Sequence, residues 1–301
     1  MTGNAQIETL GYAFKTFCDN LAVKNRSLIS DRCGTITRRL NLKFWDIDST
    51  TNNKFYSGSY GRDTATGIQS DLDLLFKLPA SYYRAYNNQS GNRQSALLQT
   101  VRNALLETYP SSSIRADGQV VALSFTDGMI FEIIPVFEQD DKSFIYPDTN
   151  NGGSWKISHT RLEIDAINEL DKKCNGNLKN LCKMSRAWKD HHNVPIKGLL
   201  IDTLAYNFME ECEYRNQSFD YYGLIALQFF HFLSTQSPDQ KYWLSPGANQ
   251  VVNRIDPGLF EHKAKKAKSL VLEAYKLQQK GYETSANKIW SALYGPEFPS
   301  A

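Results

Sequence analysis

Two aspartates stand two residues apart at the start of a short apolar segment that reads Ser70-Asp-Leu-Asp-Leu-Leu-Phe76. The apolar run is typical of a β-strand, in which residues i and i+2 point to the same face, so Asp71 and Asp73 project together. Two carboxylates in one small volume repel each other, and a divalent cation relieves that repulsion. Because Mg²⁺ commonly binds one or two carboxylates together with substrate phosphates, the pair indicates phosphoryl chemistry.

A two-metal site needs a third carboxylate from a neighbouring strand. Residues 129–134 read as such a strand, and Glu132 is the charged residue in this otherwise apolar run. A buried carboxylate without a partner is costly and a metal is a suitable partner, so Glu132 is the predicted third ligand. Two alternatives stay open: Glu132 pairs with a basic residue or faces solvent, and Asp127 on the preceding turn is the reserve ligand.

A Gly-Ser pair, Gly58-Ser59, opens the Gly/Ser/Thr-rich stretch that leads to the aspartates. Backbone N–H groups and a hydroxyl at such a turn can bind a phosphate, and glycine allows the close approach that this needs. The alternative is that Gly58-Ser59 forms only a structural turn and binds no phosphate. Arg62 is a further candidate for the phosphate, with a surface role equally open.

The candidate residues must be positioned by helices and strands, and the sequence pattern predicts a mixed α+β structure for the first half of the chain. Asp127-Gly128 is a strong hairpin signal between two strands at 119–125 and 129–134. Residues 138–155 are polar and rich in Asp, Asn and Gly, which predicts a linker between two domains, 1–155 and 156–301. Apolar residues at helical spacing predict helices at 5–24, 96–109 and over most of the second domain.

Composition excludes several classes of protein. The chain has 301 residues, 34 Lys and Arg against 32 Asp and Glu, and a net charge of +2, which neither demands nor forbids a nucleic-acid partner. We expect no stable nucleic-acid complex. No apolar run reaches the ~20 residues of a membrane span, and the first residues lack a secretion signal, so we expect a cytoplasmic protein without membrane contact. Five cysteines without a Cys-x-x-Cys pair predict reduced thiols.

The order Gly-Ser, then Ser-Asp-x-Asp, then hydrophobic-Glu-hydrophobic-hydrophobic-Pro resembles the nucleotidyltransferase fold of the polymerase-β type. Within that fold the chain resembles the cGAS/DncV-like nucleotidyltransferases, bacterial relatives of cyclic GMP-AMP synthase and oligoadenylate synthase. Residues 178–188, 195–204 and 289–299 resemble segments of that family's helical lobe. The resemblance implies a polymerase-β-type core, a mixed β-sheet with helices, followed by a C-terminal helical lobe.

The resemblance also implies an activity. Template-independent transfer from NTPs (ATP, GTP or a pyrimidine NTP) makes a cyclic di- or trinucleotide and releases pyrophosphate. Two Mg²⁺ ions, with Mn²⁺ as an alternative, are held by Asp71, Asp73 and Glu132. The product then activates a separate effector in anti-phage defence. The alternatives are a linear or RNA-tailing nucleotidyltransferase and a catalytically silent nucleotide-binding module.

Two further residues enter through the resemblance. The family's helical lobe holds the β- and γ-phosphates of the donor at the positions of Lys183 and Arg186, while the alternative is a solvated cationic face formed by Lys179, Lys183 and Arg186. The sequence also departs from the family at two positions. Glu132 replaces the usual Asp, and Leu199 stands where the family often has an aromatic residue that stacks on a base.

Overall fold

The computed structural model describes residues 2–67, 71–255 and 259–299, with side chains in the first helix described from Leu10 onward. Contacts divide the chain into two compact units. The helical unit comprises Met1–Val23, Asp63–Ile68 and Leu162–Ala301. The sheet unit comprises Lys24–Arg62 and Gln69–Arg161.

The described residues alternate helices and strands in the first half of the chain and are mainly helical in the second. The elements of the first half are α1 (Thr2–Leu21), α2 (Arg26–Phe44), β1 (Lys54–Tyr56), α3 (Gly58–Gly61), β2 (Leu72–Lys77), α4 (Ala80–Asn87), α5 (Arg93–Leu106), β3 (Ser113–Asp117), β4 (Val120–Ser124), β5 (Ile130–Glu138), β6 (Phe144–Asp148) and β7 (Ser154–Ser158). Those of the second half are α6 (Thr160–Lys173), α7 (Asn177–His191), α8 (Gly198–Glu211), α9 (Tyr222–Ser234), β8 (Tyr242–Leu244), β9 (Val251–Asn253), α10 (Leu259–Gln279) and α11 (Glu283–Tyr294).

The sheet unit contains a mixed sheet of seven strands. Five of them lie in the order β1-β2-β5-β4-β3, while β6 pairs with the C-terminal end of β5 and β7 pairs with β6. β2 and β5 run parallel, whereas the other neighbouring pairs are antiparallel. The predicted hairpin is present between β4 and β5, and Gly128 in its turn has a φ of +88°. The α+β class predicted from the sequence is confirmed.

Alternation along β2 and β5 separates an apolar face of the sheet from a face that carries carboxylates. Leu72, Leu74 and Phe76 are buried on one side, as are Phe131 and Ile133 of β5. Because side chains alternate along a strand, the residues between them point to the other face. That face carries Asp73 and Glu132.

The predicted linker at 138–155 is wrong, because this segment forms β6 and β7. β6 pairs with β5, and Phe144 is buried against Leu75 and Val136. The Asp, Asn and Gly residues that suggested a linker form tight turns instead. Asp141 accepts a hydrogen bond from the backbone N–H of Ser143, and a 3-10 turn follows β6 at Asn150–Gly152.

The first helix belongs to the helical unit rather than to the core that follows it in sequence. Its aromatic residue Phe14 meets Trp290 and Phe298 with ring centroids 5.0 and 5.4 Å apart. Phe17 packs on Tyr294 in the same way. The domain division predicted at residue 155 therefore differs from the division of contacts, because the apolar stripe of α1 is buried by residues near the other end of the chain.

Two expectations from composition concern membranes and thiols. None of the helices in the described residues is long and apolar enough to cross a membrane. The five cysteines are free and buried, and burial raises the pKa of Cys174 to about 11 and that of Cys18 to about 12. Since the thiolate is the reactive form, burial lowers the reactivity of Cys18 and Cys174 at neutral pH.

Candidate active site

The parallel pairing of β2 and β5 brings the predicted carboxylates to one place. Asp73 lies directly opposite Glu132 in the register of the two strands. Paired residues on neighbouring strands point to the same face, and Asp71 lies two positions before Asp73, at the entry to β2. The three residues are thus grouped at one end of the strand pair. Ser70 of the motif lies outside the described residues.

The carboxylates of this group influence each other's charge. Burial raises the pKa of Asp73, Arg62 opposes that shift and Asp71 adds to it. Burial likewise raises the pKa of Glu132, and the charges of Asp73 and Asp71 raise it further. The site therefore disfavours full ionisation unless positive charge is supplied to it.

Gly58 holds the turn against the carboxylate of Asp73. Its φ is +58°, and a Cβ at this position would collide with Oδ2 of Asp73. The backbone N–H of Ser57 donates to the carbonyl oxygen of Asp73 at 2.9 Å, which fixes the turn to β2. Ser59 follows within the short helix α3. Glycine is required here both for the left-handed backbone and for the close approach.

Arg62 and Asp127 were open alternatives in the sequence. Arg62 is 5% exposed, which excludes a surface role, and its charge favours the ionised form of Asp73. Asp127 lies on the exposed hairpin turn, where Arg32 donates to its Oδ1 at 2.9 Å and lowers its pKa. The structure argues against the reserve assignment of Asp127 as a ligand, since its carboxylate is paired with Arg32 at the exposed turn.

Lys179 and Lys183 of α7 do not form a solvated face. Their side chains are 18% and 12% exposed, so that alternative is wrong. Nζ of Lys183 lies 3.8 Å from Oδ1 of Asp63, and Nζ of Lys179 lies 3.9 Å from carboxylate oxygens of both Asp63 and Asp171. Both ammonium groups therefore sit among carboxylates within the helical unit.

Arg186 is engaged in a buried ion pair. Its Nη1 and Nη2 donate to the two carboxylate oxygens of Asp202 at 2.5 and 2.9 Å, and Nη2 also donates to the carbonyl of Gly198 at 3.1 Å. Thr64 donates a further hydrogen bond to Asp202, which is fully buried. The structure argues against the phosphate-binding role predicted for Arg186, because its guanidinium joins α7 to α8.

Comparison with known proteins identifies the family. The model of the Second Messenger Oligonucleotide or Dinucleotide Synthetase (SMODS) domain matches residues 9–171, more than half of the chain. The chain belongs to the SMODS family. It is accordingly a nucleotidyltransferase of the group that makes cyclic oligonucleotides. A curated relative, the probable cyclic nucleotide synthase IK1_05630 of Bacillus cereus (strain VD146), is 22% identical over 80% of this chain and 72% of its own.

Solved structures of similar fold confirm the architecture expected of a SMODS protein. The CdnC of Escherichia coli MS115-1 in a complex with HORMA-deltaN superposes with a TM-score of 0.67 at 12% identity, over 96% of this chain and 98% of that one. The Bradyrhizobium diazoefficiens CD-NTase CdnG, in complex with GTP, gives 0.67 at 11%, over 95% of each chain. Vibrio cholerae DncV, a cyclic AMP-GMP synthase, gives 0.63 at 13%, over 98% of this chain and 89% of its own.

The donor set of this SMODS protein suits a divalent cation. Asp71, Asp73 and Glu132 offer only carboxylate oxygens, the ligands that Mg²⁺ prefers. Within the described ranges, no three His, Cys, Asp or Glu side chains already stand in the arrangement of a metal site. Strand register groups the three carboxylates, and the negative charges of Asp73 and Asp71 add to burial in raising the pKa of Glu132. A bound cation would offset the repulsion between these carboxylates, so the three residues fit a divalent metal ion.

Replacing Gly58 by alanine is expected to reduce nucleotide transfer at least about tenfold. The new Cβ must displace the carboxylate of Asp73, and the left-handed backbone adds about 1–2 kcal/mol of strain. Gly118 provides a matched control, since its φ is +60° and a Cβ there meets nothing within 4 Å. Gly118→Ala should lose similar stability and keep its activity in a pyrophosphate-release assay. Equal activity of the two variants would contradict the proposed contact.

Arg186→Ala and Lys183→Ala are expected to behave differently. Loss of Arg186 leaves Asp202 buried without its partner, which should cost about 3 kcal/mol in the free energy of unfolding. Loss of Lys183 removes only a long ion pair, so stability should change by less than about 1 kcal/mol while the KM for NTP rises. Urea unfolding and an NTP titration separate the two effects. An Arg186→Ala protein as stable as wild type but with a raised KM would restore its predicted phosphate role.

Proposed function

We propose that this SMODS protein makes a cyclic di- or trinucleotide from NTPs without a template, using two Mg²⁺ ions and releasing pyrophosphate. The observation that carries the proposal is the register of Asp73 with Glu132 on parallel strands, with Asp71 beside them. The family supports the type of reaction, and the grouping of the three carboxylates supports the proposed site. The structures of CdnG in complex with GTP and of CdnC with ATP support NTPs as substrates.

In this proposal, some residues of the chain bind the metal ions and others bind the phosphates of the nucleotide. Asp71, Asp73 and Glu132 would hold the cations, which when bound would lower the pKa of the attacking ribose hydroxyl and stabilise the leaving pyrophosphate. Gly58 and Ser59 present backbone N–H groups and a hydroxyl to the phosphates. Lys183 binds the β- and γ-phosphates. Transfer is then mainly a matter of orientation and charge.

The product is proposed to act on a separate effector in anti-phage defence. This part of the proposal rests on the family to which the chain belongs, whose domain is described as a synthetase of second messengers. A second messenger carries its signal only through a receptor that binds it. The complex with HORMA-deltaN is a property of the relative CdnC.

One assay tests the activity directly. The full chain is incubated with each radiolabelled NTP and with mixtures, in the presence of Mg²⁺, and the products are treated with phosphatase. Small products whose chromatographic migration is unchanged by phosphatase are expected, since a closed ring has no terminal phosphate to lose. A ladder of products would indicate a linear polymerase. The absence of any product with every NTP mixture and both Mg²⁺ and Mn²⁺ would favour a silent nucleotide-binding module.

A further inference from the structure

The turn that carries Gly58 and Ser59 follows a strand with little support from the sheet. This strand, β1, has three residues and lies at the edge of the sheet, where among the described strands it pairs with β2 alone. A strand this short depends on neighbouring elements for its stability. The position of the turn after β1 therefore depends on contacts made outside the strand pairing.

The first two residues of α6 supply such contacts, and they belong to the sheet unit. Oγ1 of Thr160 lies 2.9 Å from Oγ of Ser57, within hydrogen-bond distance. The guanidinium of Arg161 lies over the ring of Phe55, 4.7 Å from its centroid, and donates to Glu138 of β5 at 2.9 Å. Two consecutive residues of α6 thus hold two alternate residues of the segment that leads from β1 into the turn.

The hydroxyl of Ser57 is committed to Thr160. Ser57 stands at the N-cap of α3, where a serine hydroxyl commonly accepts a hydrogen bond from the helix backbone, yet its side chain makes no capping bond. Thr160 is 2% exposed, so water does not readily replace its hydroxyl as a partner. The backbone N–H of Ser57 donates to the carbonyl oxygen of Asp73 at 2.9 Å. Ser57 is therefore tied to β2 by its backbone and to α6 by its side chain.

We propose that Thr160 is a positioning residue for the nucleotide, because its hydrogen bond with Ser57 holds the Gly58-Ser59 turn in the orientation that binds phosphates. Thr160 acts through Ser57 and does not itself touch the nucleotide. Without this bond the turn keeps its backbone tie to β2 but gains conformational freedom, and ordering it again costs part of the binding free energy. This inference rests on the proposed function, in which Gly58 and Ser59 bind the phosphates.

The chain offers matched variants for the test. Thr160→Val removes the hydroxyl and keeps the branched shape, whereas Thr160→Ser keeps the hydroxyl. Ser57→Ala removes the other partner of the same bond at a half-buried position, where a substitution disturbs packing less. Thr203→Val is the control, since Thr203 of α8 is fully buried and its hydroxyl donates to the carbonyl oxygen of Leu199 at 2.9 Å. It therefore loses one buried hydrogen bond elsewhere.

Binding is measured without turnover, by calorimetry of the full chain with the α,β-methylene analogues of ATP and GTP in the presence of Mg²⁺. Thr160→Val and Ser57→Ala are each expected to bind the analogues about fivefold more weakly than wild type. The double variant should also lose about fivefold and no more, because both changes remove the same bond. Thr160→Ser and Thr203→Val are expected to bind within about twofold of wild type.

Several results would overturn the inference, and they are distinct from failure of the proposed function. Wild-type binding by Thr160→Val or by Ser57→Ala means that the bond does not position the turn. An equal loss in Thr203→Val means that only stability matters, and an equal loss in Thr160→Ser means that the hydroxyl does not. Multiplied losses in the double variant mean that the two hydroxyls act separately. By contrast, wild type that binds neither analogue, or Gly58→Ala that binds as wild type does, would contradict the phosphate-binding role of the turn itself.

Discussion

A protein that carries both Asp71→Asn and Asp73→Asn is expected to release no pyrophosphate from any NTP mixture. The two residues supply two of the three carboxylates on one face of the strand pair, and asparagine cannot replace their charge around a divalent cation. Transfer then loses both activation of the hydroxyl and stabilisation of the leaving group. A coupled pyrophosphate assay with Mg²⁺ and with Mn²⁺ measures the loss. Pyrophosphate release by the double variant at the wild-type rate would contradict the proposed metal site.

The same variant should be as stable as the wild-type protein or more so when metal is removed. The pKa of Asp73 is raised mainly by burial, so folding disfavours its charged form and the carboxylate costs stability at pH values above that raised pKa. A neutral amide of the same shape avoids this cost. Thermal unfolding at pH 7 in EDTA is expected to show an equal or higher Tm. A fall of several degrees would indicate a structural role for the pair.

Glu132→Ala is expected to reduce turnover about 1,000-fold, which corresponds to ~4 kcal/mol of transition-state stabilisation. Glu132 is the partner of Asp73 in the parallel register and the remaining carboxylate of the group. Its removal should leave folding nearly unchanged, because a half-buried side chain with a raised pKa contributes little as an anion. Asp127→Ala is the control, since Asp127 is paired with Arg32 on an exposed turn. Full activity of Glu132→Ala would exclude it as a ligand.

Glu132→Asp should separate charge from distance. The shorter side chain keeps the carboxylate but withdraws its oxygens by about 1.5 Å, and Mg²⁺ tolerates such displacement poorly. Weak activity with Mg²⁺ and partial rescue by the larger Mn²⁺ are therefore expected. Equal activity of Glu132→Asp with both metals would show that the strand here adapts to the shorter ligand.

The carboxylate group was largely predictable from the sequence because its geometry is local. The i and i+2 spacing of Asp71 and Asp73 determines that they share a face, and the apolar run around Glu132 identifies a buried strand. What the sequence could not show is that β2 and β5 are neighbours and parallel. That pairing depends on contacts across about 60 residues, for which one sequence carries no direct signal.

The roles of the cationic residues were harder to predict. Lys183 and Arg186 stand three residues apart on one helix, and nothing in that spacing distinguishes them. The two residues differ because Asp202, sixteen residues beyond Arg186, forms a buried bidentate ion pair with the guanidinium of Arg186. Asp63 likewise lies far from the lysines in sequence. A helical pattern shows which side chains share a face, but their partners come from tertiary packing.

The predicted linker failed for a related reason. Turn-forming residues lie near Asp141 and Asn150, and the short strands that they flank have weak sequence patterns of their own. Phe144 becomes a core residue only through the sheet, against Leu75 and Val136. Short edge strands depend on their neighbours for stability, so composition alone makes them look like loops.

The packing of α1 has a consequence for how the chain folds. Phe14 meets Phe298, and the side-chain amide of Asn20 donates to the carbonyl of Glu297, contacts that close loops of more than 270 residues. Contacts of such sequence separation form slowly. During synthesis α1 therefore emerges early and keeps its aromatic stripe exposed until the partners of that stripe have been made. We expect this stripe to be the segment of the nascent chain most prone to aggregation and most in need of a chaperone.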